Sequence, residues 1–253
     1  MIPEFNTNLR LSRDQYFLDA GYKNLIVLHH TAGGSAVSTF YWWQNYDPRR
    51  VATAYIVERD GTIYEIFNPA YWAFHLGLAG SGGIHDRRSI GIELASEGGL
   101  IARGSRFYAF DRVSPATEFT GDVFDYGKKW RNSYRFFAAY TEAQLIATTE
   151  LVNYLCANYQ VPRRTPVAHI DYIPGAREYR GIIGHHHVRA DKTDLHPGFD
   201  WNILIQKCDL NVTDFTPKLY FAQLSKRSPS NYTVRIMNRR RINSARNLGR
   251  ICD

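Results

Sequence analysis

Three short apolar runs, set among polar and helical stretches, constrain the fold of this chain more than any other feature. They span residues 25–28, 89–94 and 181–184. Apolar runs of this length without polar alternation are typical of strands buried in the middle of a sheet. Strands interleaved with helices, together with one hairpin, predict an α/β fold with a mixed central β-sheet flanked by helices.

The stretches between these runs predict the remaining elements. Asp60-Gly61 between two apolar segments is a strong hairpin signal. Thr141 and Gln144 form a predicted capping box at a helix start, with the Gln144 side chain reaching back to the cap. Cys156 lies on the apolar face of that helix and is expected in the core. The other predictions are a helix over 35–45, strands over 51–57 and 62–67, a hairpin near 106–110 and a closing helix over 199–207.

The length of 253 residues suits one α/β domain with an appendage. We expect a catalytic domain over residues 1–208 and a basic C-terminal extension over residues 209–253. Within the domain, residues 95–139 show little helical or strand periodicity, and this segment is here called the insertion. Loops of that size are either functional or disordered, and the sequence leaves both alternatives open.

The positive charge of the chain is concentrated at its C-terminal end. Residues 211–253 hold nine Lys and Arg residues against two aspartates, an excess equal to the net charge of +7. The body is therefore formally neutral, which argues against a specific nucleic-acid function. Two apolar stretches, at 219–224 and 232–237, are candidate strands of a small module. The basic residues of the tail suit contact with an anionic wall polymer or a partner protein, and the alternative is a solvated, partly disordered terminus.

Three cysteines without a CxxC pair give neither a disulfide framework nor a thiolate metal site. No basic segment followed by an apolar stretch marks a secretory signal at the N-terminus. No run of 18 apolar residues is present to span a membrane. We therefore expect a protein made in the cytoplasm, which would need another delivery route to reach a substrate outside it.

Histidines gather at the ends of two predicted strands. Of nine histidines, His29 and His30 follow the first apolar run, and four more lie within residues 185–196. Two histidines and a carboxylate such as Asp194, with water as fourth ligand, make up a hydrolytic zinc centre. The alternative is a histidine-rich surface loop, and spacing alone does not decide between the two.

Four segments in order then carry a family resemblance. They are Leu28-His29-His30-Thr31-Ala32-Gly33, Val51-Ala52-Thr53-Ala54-Tyr55 running into Arg59-Asp60-Gly61-Thr62-Ile63-Tyr64, Ser89-Ile90-Gly91-Ile92-Glu93-Leu94, and Gly184-His185 with Lys192-Thr193-Asp194. Together they resemble the type 2 N-acetylmuramoyl-L-alanine amidases, a family that includes phage endolysins, the muropeptide-recycling amidase and peptidoglycan recognition proteins. The resemblance implies hydrolysis of the amide between N-acetylmuramic acid and L-alanine of peptidoglycan.

The resemblance also implies a role for individual residues. It selects His29, His185 and Asp194 as ligands of Zn²⁺. Glu93 stands where the family has its acidic base, and Lys192 is the candidate cation for the charge that builds on the carbonyl oxygen. The predicted substrate contacts are His75, in a segment similar to the family's Trp-His-Ala-Gly, and Thr31, Tyr55 and Trp72.

Some positions depart from the family pattern. Thr53 and Ala54 stand where relatives carry tyrosine or histidine, which argues against a tyrosine-assisted mechanism. The loop from His185 to Asp194 is one residue shorter than usual, so His196 is a competing ligand candidate. The remaining pair, His186 and His187, is predicted to face solvent.

Three functions are consistent with these residues. The first is a lytic amidase of phage or phage-like origin, which the long insertion and cationic tail favour; a holin or an injection machine would deliver it to the cell wall. The second is a cytosolic amidase that recycles released muropeptides and stays cytoplasmic. The third is a module that binds peptidoglycan without cutting it, and the intact set of His29, His185 and Asp194 argues against it.

Overall fold

The computed structural model describes residues 2–46, 49–109, 117–131 and 133–215. Twelve strands and five helices are assigned in these ranges. In chain order they are β1 (Leu25–His30), α1 (Ala36–Tyr46), β2 (Tyr55–Val57), β3 (Ile63–Glu65), α2 (Ile84–Arg87), β4 (Ser89–Leu94), β5 (Gly99–Arg103), β6 (Arg106–Ala109), β7 (Glu118–Phe119), β8 (Val123–Asp125), β9 (Phe136–Ala138), α3 (Glu142–Tyr159), β10 (Arg164–Pro166), β11 (Gly181–Gly184), α4 (His185–Val188), α5 (Trp201–Cys208) and β12 (Asn211–Thr213).

The three apolar runs form the centre of a five-stranded sheet with the order β11-β1-β4-β2-β3. β1 pairs in parallel with both β11 and β4, and β2 adds in parallel to β4. The predicted hairpin joins β2 to the antiparallel β3, and Asp60 Oδ1 accepts from the Thr62 amide in its turn. The sheet is thus mixed and flanked by helices, which confirms the predicted fold class.

Every residue of β1 is buried because the sheet is covered on both faces. Ile26 and Leu28 belong to the larger core, which contains α3 and α5. Leu25 and Val27, of the opposite parity, pack in a smaller cluster on the other face. Strand alternation therefore divides β1 between two cores.

At the start of α3, only one of the two hydrogen bonds of the predicted capping box is present. Thr141 accepts from the Gln144 amide at 3.1 Å, but the Gln144 side chain does not reach back. Its Nε2 donates instead to Val57 O and Ala95 O, so the helix start is fastened to the central sheet rather than closed on itself. Cys156 is buried in the core as expected.

The insertion is ordered over its described residues as a second, antiparallel sheet. Its strand order is β7-β6-β5-β9-β8. The β5–β6 hairpin corresponds to the one predicted near 106–110, although residues 110–116 and 132 lie outside the described residues. Apart from that hairpin, the sequence did not predict this sheet, because its strands are only two to five residues long.

The compact body continues past residue 208, where the sequence analysis ended the catalytic domain. β12 pairs in parallel with β10, and the Phe215 ring contacts Tyr179. The candidate strands at 219–224 and 232–237 lie outside the described residues. Across the part of the chain that is described, no helix has both the length and the apolar character needed to cross a bilayer.

Candidate active site

Two parallel strands bring a histidine and an acidic side chain to one edge of the central sheet. β1 and β4 pair in register, with His29 beside Glu93. Because side chains alternate between the faces of a strand, His29 and His30 project to opposite sides. His30 Nδ1 lies 3.0 Å from the hydroxyl of Tyr140. Strand geometry, rather than residue type, therefore separates the two histidines.

A second histidine and an aspartate converge on His29. His185 follows the last residue of β11, the parallel neighbour of β1. Asp194 Oδ2 lies 2.9 Å from His185 Nδ1 and 3.0 Å from His29 Nδ1. Ligand atoms at about 2.0–2.1 Å from a tetrahedral metal are about 3.3 Å apart, close to these separations. The three residues form one compact group of potential metal ligands.

The hydrogen-bond partners of His29 fix which of its nitrogens carries the proton. Ser89 Oγ donates to Asp86 O, so it accepts from His75 Nε2 at 2.7 Å. His75 Nδ1 then has a free lone pair and accepts from His29 Nε2 at 2.9 Å. The proton of His29 is therefore on Nε2, and the lone pair on Nδ1 faces Asp194.

The Nδ1 nitrogen of His185 is likewise unprotonated. Its Nε2 lies 3.0 Å from Leu76 O, which only accepts, so its Nδ1 also carries a lone pair. Two imidazole lone pairs and a carboxylate oxygen thus face one another with no proton between them. A divalent cation satisfies such a set, and the residues present fit a bound metal.

The charge states agree with this arrangement. Burial, reinforced by the neighbouring His185 ring, lowers the pKa of His29 to about 4. Burial by itself raises the pKa of Asp194, but the adjacent imidazoles of His185 and His29 hold it well below its usual range. Near neutral pH the site therefore offers a neutral His29 and an ionised carboxylate.

Glu93 has the environment of a proton carrier. Its Oε2 is shielded from solvent and has no hydrogen-bond partner among the described residues. Burial, with the nearby Asp194 carboxylate as the second cause, raises the pKa of Glu93 well above its ordinary value. A carboxyl group with a raised pKa is suited to taking up and returning a proton at neutral pH.

These residues line one cleft. Its cavity of about 410 Å³ is bordered by His29, Thr31, Trp43, Thr53, His75, Glu93, His185, Lys192 and Asp194. A neighbouring cavity of about 430 Å³ shares Thr31, Trp43 and Glu93 with it and adds Trp42. The Trp42 side chain is 46% exposed, so an aromatic surface lies open to solvent beside Glu93.

A model of the N-acetylmuramoyl-L-alanine amidase family matches residues 20–198, a range that holds every predicted site residue. The chain belongs to this family. Members of the family act on peptidoglycan, so the chain is an amidase with a peptidoglycan substrate. No curated protein sequence matches the amidase significantly.

The fold of the amidase is similar to several solved structures. An endolysin N-acetylmuramoyl-L-alanine amidase from Clostridium intestinale is 13% identical, with a TM-score of 0.43, and 83% of this chain covers 99% of it. A mutant endolysin from Bacillus subtilis is 14% identical, with a TM-score of 0.47, and the match covers 82% of this chain and 99% of the endolysin chain. A selenomethionine derivative of AmpD is 20% identical, with a TM-score of 0.43, and the match covers 81% of this chain and 94% of the AmpD chain.

Two predicted substrate contacts of the amidase lie elsewhere. Tyr55 is 1% exposed and packs against Phe5 in the larger core, so it is a core residue rather than a groove residue. Trp72 is stacked on Phe17 at 4.0 Å, donates to Asp19 and does not border the cleft. Both aromatic side chains satisfy packing requirements that a linear motif does not reveal.

The other two predicted contacts border the cleft. Thr31 Oγ1 accepts from the Ser96 amide and donates to Ser96 O, which ties the end of β1 to the residues after β4. Both ring nitrogens of His75 are already engaged, with His29 and Ser89. The geometry therefore favours His75 as a support for His29 over a direct substrate contact.

Three other histidines, His186, His187 and His196, are structural. The prediction that His186 and His187 face solvent is wrong, because both side chains are completely buried. His187 accepts from the Gly184 amide and donates to Ala168 O. His196 donates to Ala138 O and accepts from the Gly198 amide, and it is not part of the potential ligand group. Backbone groups that need buried partners thus account for these rings.

Three residues of the site, Ser89, Trp42 and Trp43, were not predicted from the sequence. Ser89 shares a strand face with Glu93 four residues later, a spacing that was available as a signal. Trp43 borders the cleft from α1, a helix that the sequence predicted without showing which of its faces meets the cleft. The direction a helix face takes depends on tertiary packing.

Proposed function

We propose that this amidase uses Zn²⁺ to hydrolyse the bond between the lactyl group of N-acetylmuramic acid and L-alanine. The observation that carries the proposal is the convergence of two imidazole lone pairs and the Asp194 carboxylate beside Glu93. His29, His185 and Asp194 would hold the ion, a donor set that leaves a fourth position open. When bound, zinc supplies Lewis acidity for activating water and polarising a carbonyl.

Glu93 moves the proton in this proposal. As a carboxylate it accepts a proton from the attacking water while the new carbon–oxygen bond forms. It then returns that proton to the nitrogen of L-alanine as the carbon–nitrogen bond breaks. The products are a lactyl carboxylic acid and a free amino terminus, so the proton count closes with one water consumed.

Lys192 and Thr31 border the reacting centre and complete the proposal. Lys192 lies in the cleft with the ligand group, and its ammonium is the cation available to oppose charge on the carbonyl oxygen. Thr31 lies at the junction of the two cavities, where a substrate passing from the metal towards Trp42 would contact it.

We further propose a lytic role of the phage type, in which the amidase reaches the wall through a holin or an injection machine. The insertion adds a whole sheet to the domain, and the basic residues of the C-terminal extension suit an anionic wall polymer or a partner protein. A polymeric substrate also suits two adjoining cavities, one of which presents the open Trp42 surface.

The decisive experiment measures new amino termini released from intact sacculi by the purified full chain with zinc. His29→Ala should lose both zinc and activity, whereas Glu93→Gln should keep zinc and lose activity. New termini must belong to L-alanine for the bond assignment to hold. Activity confined to soluble muropeptides would replace the lytic role with recycling, and binding to sacculi at full zinc occupancy without cleavage would refute the enzyme.

A further inference from the structure

The loop that carries most of the proposed catalytic groups has little regular structure of its own. Residues 185–194, here called the metal-binding loop, contain His185, Lys192 and Asp194. Only the single turn of α4 is helical, and the loop closes on itself through His186 N donating to Asp194 O at 2.7 Å. A loop of this kind has several backbone carbonyls that need partners from elsewhere.

One side chain of the insertion supplies those partners. The Arg131 guanidinium lies within hydrogen-bond distance of five backbone carbonyl oxygens, four of them in the metal-binding loop. Nη1 lies 3.3, 3.1 and 2.9 Å from the carbonyls of Arg189, Ala190 and Lys192, and Nη2 lies 3.2 and 3.4 Å from those of His186 and Ile170. The planar fork of arginine donors suits a set of acceptors that surrounds it.

The residue before Arg131 makes an apolar contact with the same loop. Trp130 is buried, and its ring meets the His186 ring edge-on at 5.6 Å. The Arg131 guanidinium lies 4.9 Å from the Trp130 ring centroid. The tryptophan therefore restrains both the arginine and the loop that the arginine holds.

The insertion also holds the chain just beyond Asp194. His196 donates to Ala138 O at 3.1 Å, at the end of β9. Its ring is stacked between Phe137 at 4.7 Å and Tyr140 at 4.4 Å. Asp194 is thus placed between two points of attachment, one at Arg131 and one at β9.

We propose that Arg131 is a positioning residue, through which the insertion sets the geometry of the metal-binding loop. The inference rests on the proposed function, because positioning matters only if His185 and Asp194 hold a metal. Arg131 touches neither substrate nor ligand atoms and acts through the carbonyls of the loop. On this proposal the insertion serves the metal centre as a scaffold, in addition to any contact with the substrate.

The test compares Arg131→Ala and Arg131→Lys with Arg135→Ala in the full chain. Arg135 is a matched control, because it also belongs to the insertion but pairs with the exposed Asp125. Loss of a partner that supports metal ligands typically weakens metal affinity about 10- to 100-fold, which is the change expected in the zinc Kd of Arg131→Ala. Chelator competition measures this Kd without any substrate.

Further readouts separate positioning from general destabilisation. We expect kcat on sacculi to fall in Arg131→Ala while KM changes less than twofold. Amide hydrogen exchange should accelerate within residues 185–194 in the metal-free protein. Arg131→Lys should recover part of the zinc affinity, because one ammonium keeps the charge but cannot reach five carbonyls. If Arg131→Ala does not fold, the same measurements on Arg131→Lys test the positioning role.

The inference is overturned if the zinc Kd and kcat of the Arg131 variants stay within twofold of wild type, or if Arg135→Ala loses as much affinity as they do. Failure of the proposed function has a different signature, since the wild-type chain itself would then bind no zinc or release no amino termini. The wild-type measurements are therefore made first, and they separate the two cases.

Discussion

Acid should destabilise the metal-free amidase steeply, because its buried histidines are held neutral. His187 and His196 each accept one backbone amide and donate to one carbonyl, so a second proton on either ring would break an existing hydrogen bond. Burial is the main cause that lowers the pKa of both rings well below the usual value. In the unfolded chain the same rings titrate freely, so the unfolded state binds more protons as the pH falls.

The magnitude follows from the unfolded state. A histidine with an unfolded pKa of about 6.5 that stays neutral when folded costs about 2 kcal/mol of stability at pH 5. His187 and His196 together therefore lower the free energy of unfolding at pH 5 by about 4 kcal/mol. His29, with a folded pKa of about 4, acts in the same direction. Glu93 opposes them in part, because its raised pKa makes the folded state bind a proton more readily than the unfolded state.

The assay is urea unfolding in EDTA at pH 7.5, 6.5, 5.5 and 5. We expect the free energy of unfolding to fall by several kcal/mol over this range, with most of the loss below pH 6.5. His196→Gln is the matched variant, and its loss between pH 7.5 and 5 should be about 2 kcal/mol smaller than that of wild type. An equally steep loss in His196→Gln would refute the conclusion that the folded ring is neutral.

Three further predictions concern the cleft and its support. Glu93→Gln should lower kcat by about 10²- to 10⁴-fold with the zinc stoichiometry unchanged, measured by amino-terminus release and metal analysis; an active variant would exclude Glu93 as the proton carrier. Trp42→Ala should raise KM for sacculi more than it lowers kcat, because Trp42 borders the second cavity without reaching the ligand group; an unchanged KM would place the substrate elsewhere. Lys23→Met should lower the free energy of unfolding, measured in urea, by about 3 kcal/mol, because Lys23 Nζ donates to the carbonyls of Tyr71, Arg87 and Ser89. A loss below about 1 kcal/mol would show that these hydrogen bonds do not stabilise the fold.

The sequence determined the central sheet and the order of its motifs, because both depend on local patterns. Buried strands appear as apolar runs, and a hairpin appears as Asp60-Gly61 between them. The histidines gather at the ends of such strands, and the family resemblance of the motifs then selected His29 over His30 and His185 over its neighbours, the group that the structure brings together with Asp194.

Only the tertiary structure decided how the remaining residues are used. Tyr55 and Trp72 appeared to suit a groove, yet both pack in the interior because neighbouring elements cover them. The proton positions on His29 depend on His75 and Ser89, which are brought together from separate segments. Arg131 is 54 residues from His185 in sequence, and only the folded insertion brings it to the metal-binding loop. Side-chain direction and long-range hydrogen bonding have no local pattern, and for that physical reason the sequence predicted the candidate metal ligands but not the side chains that support them.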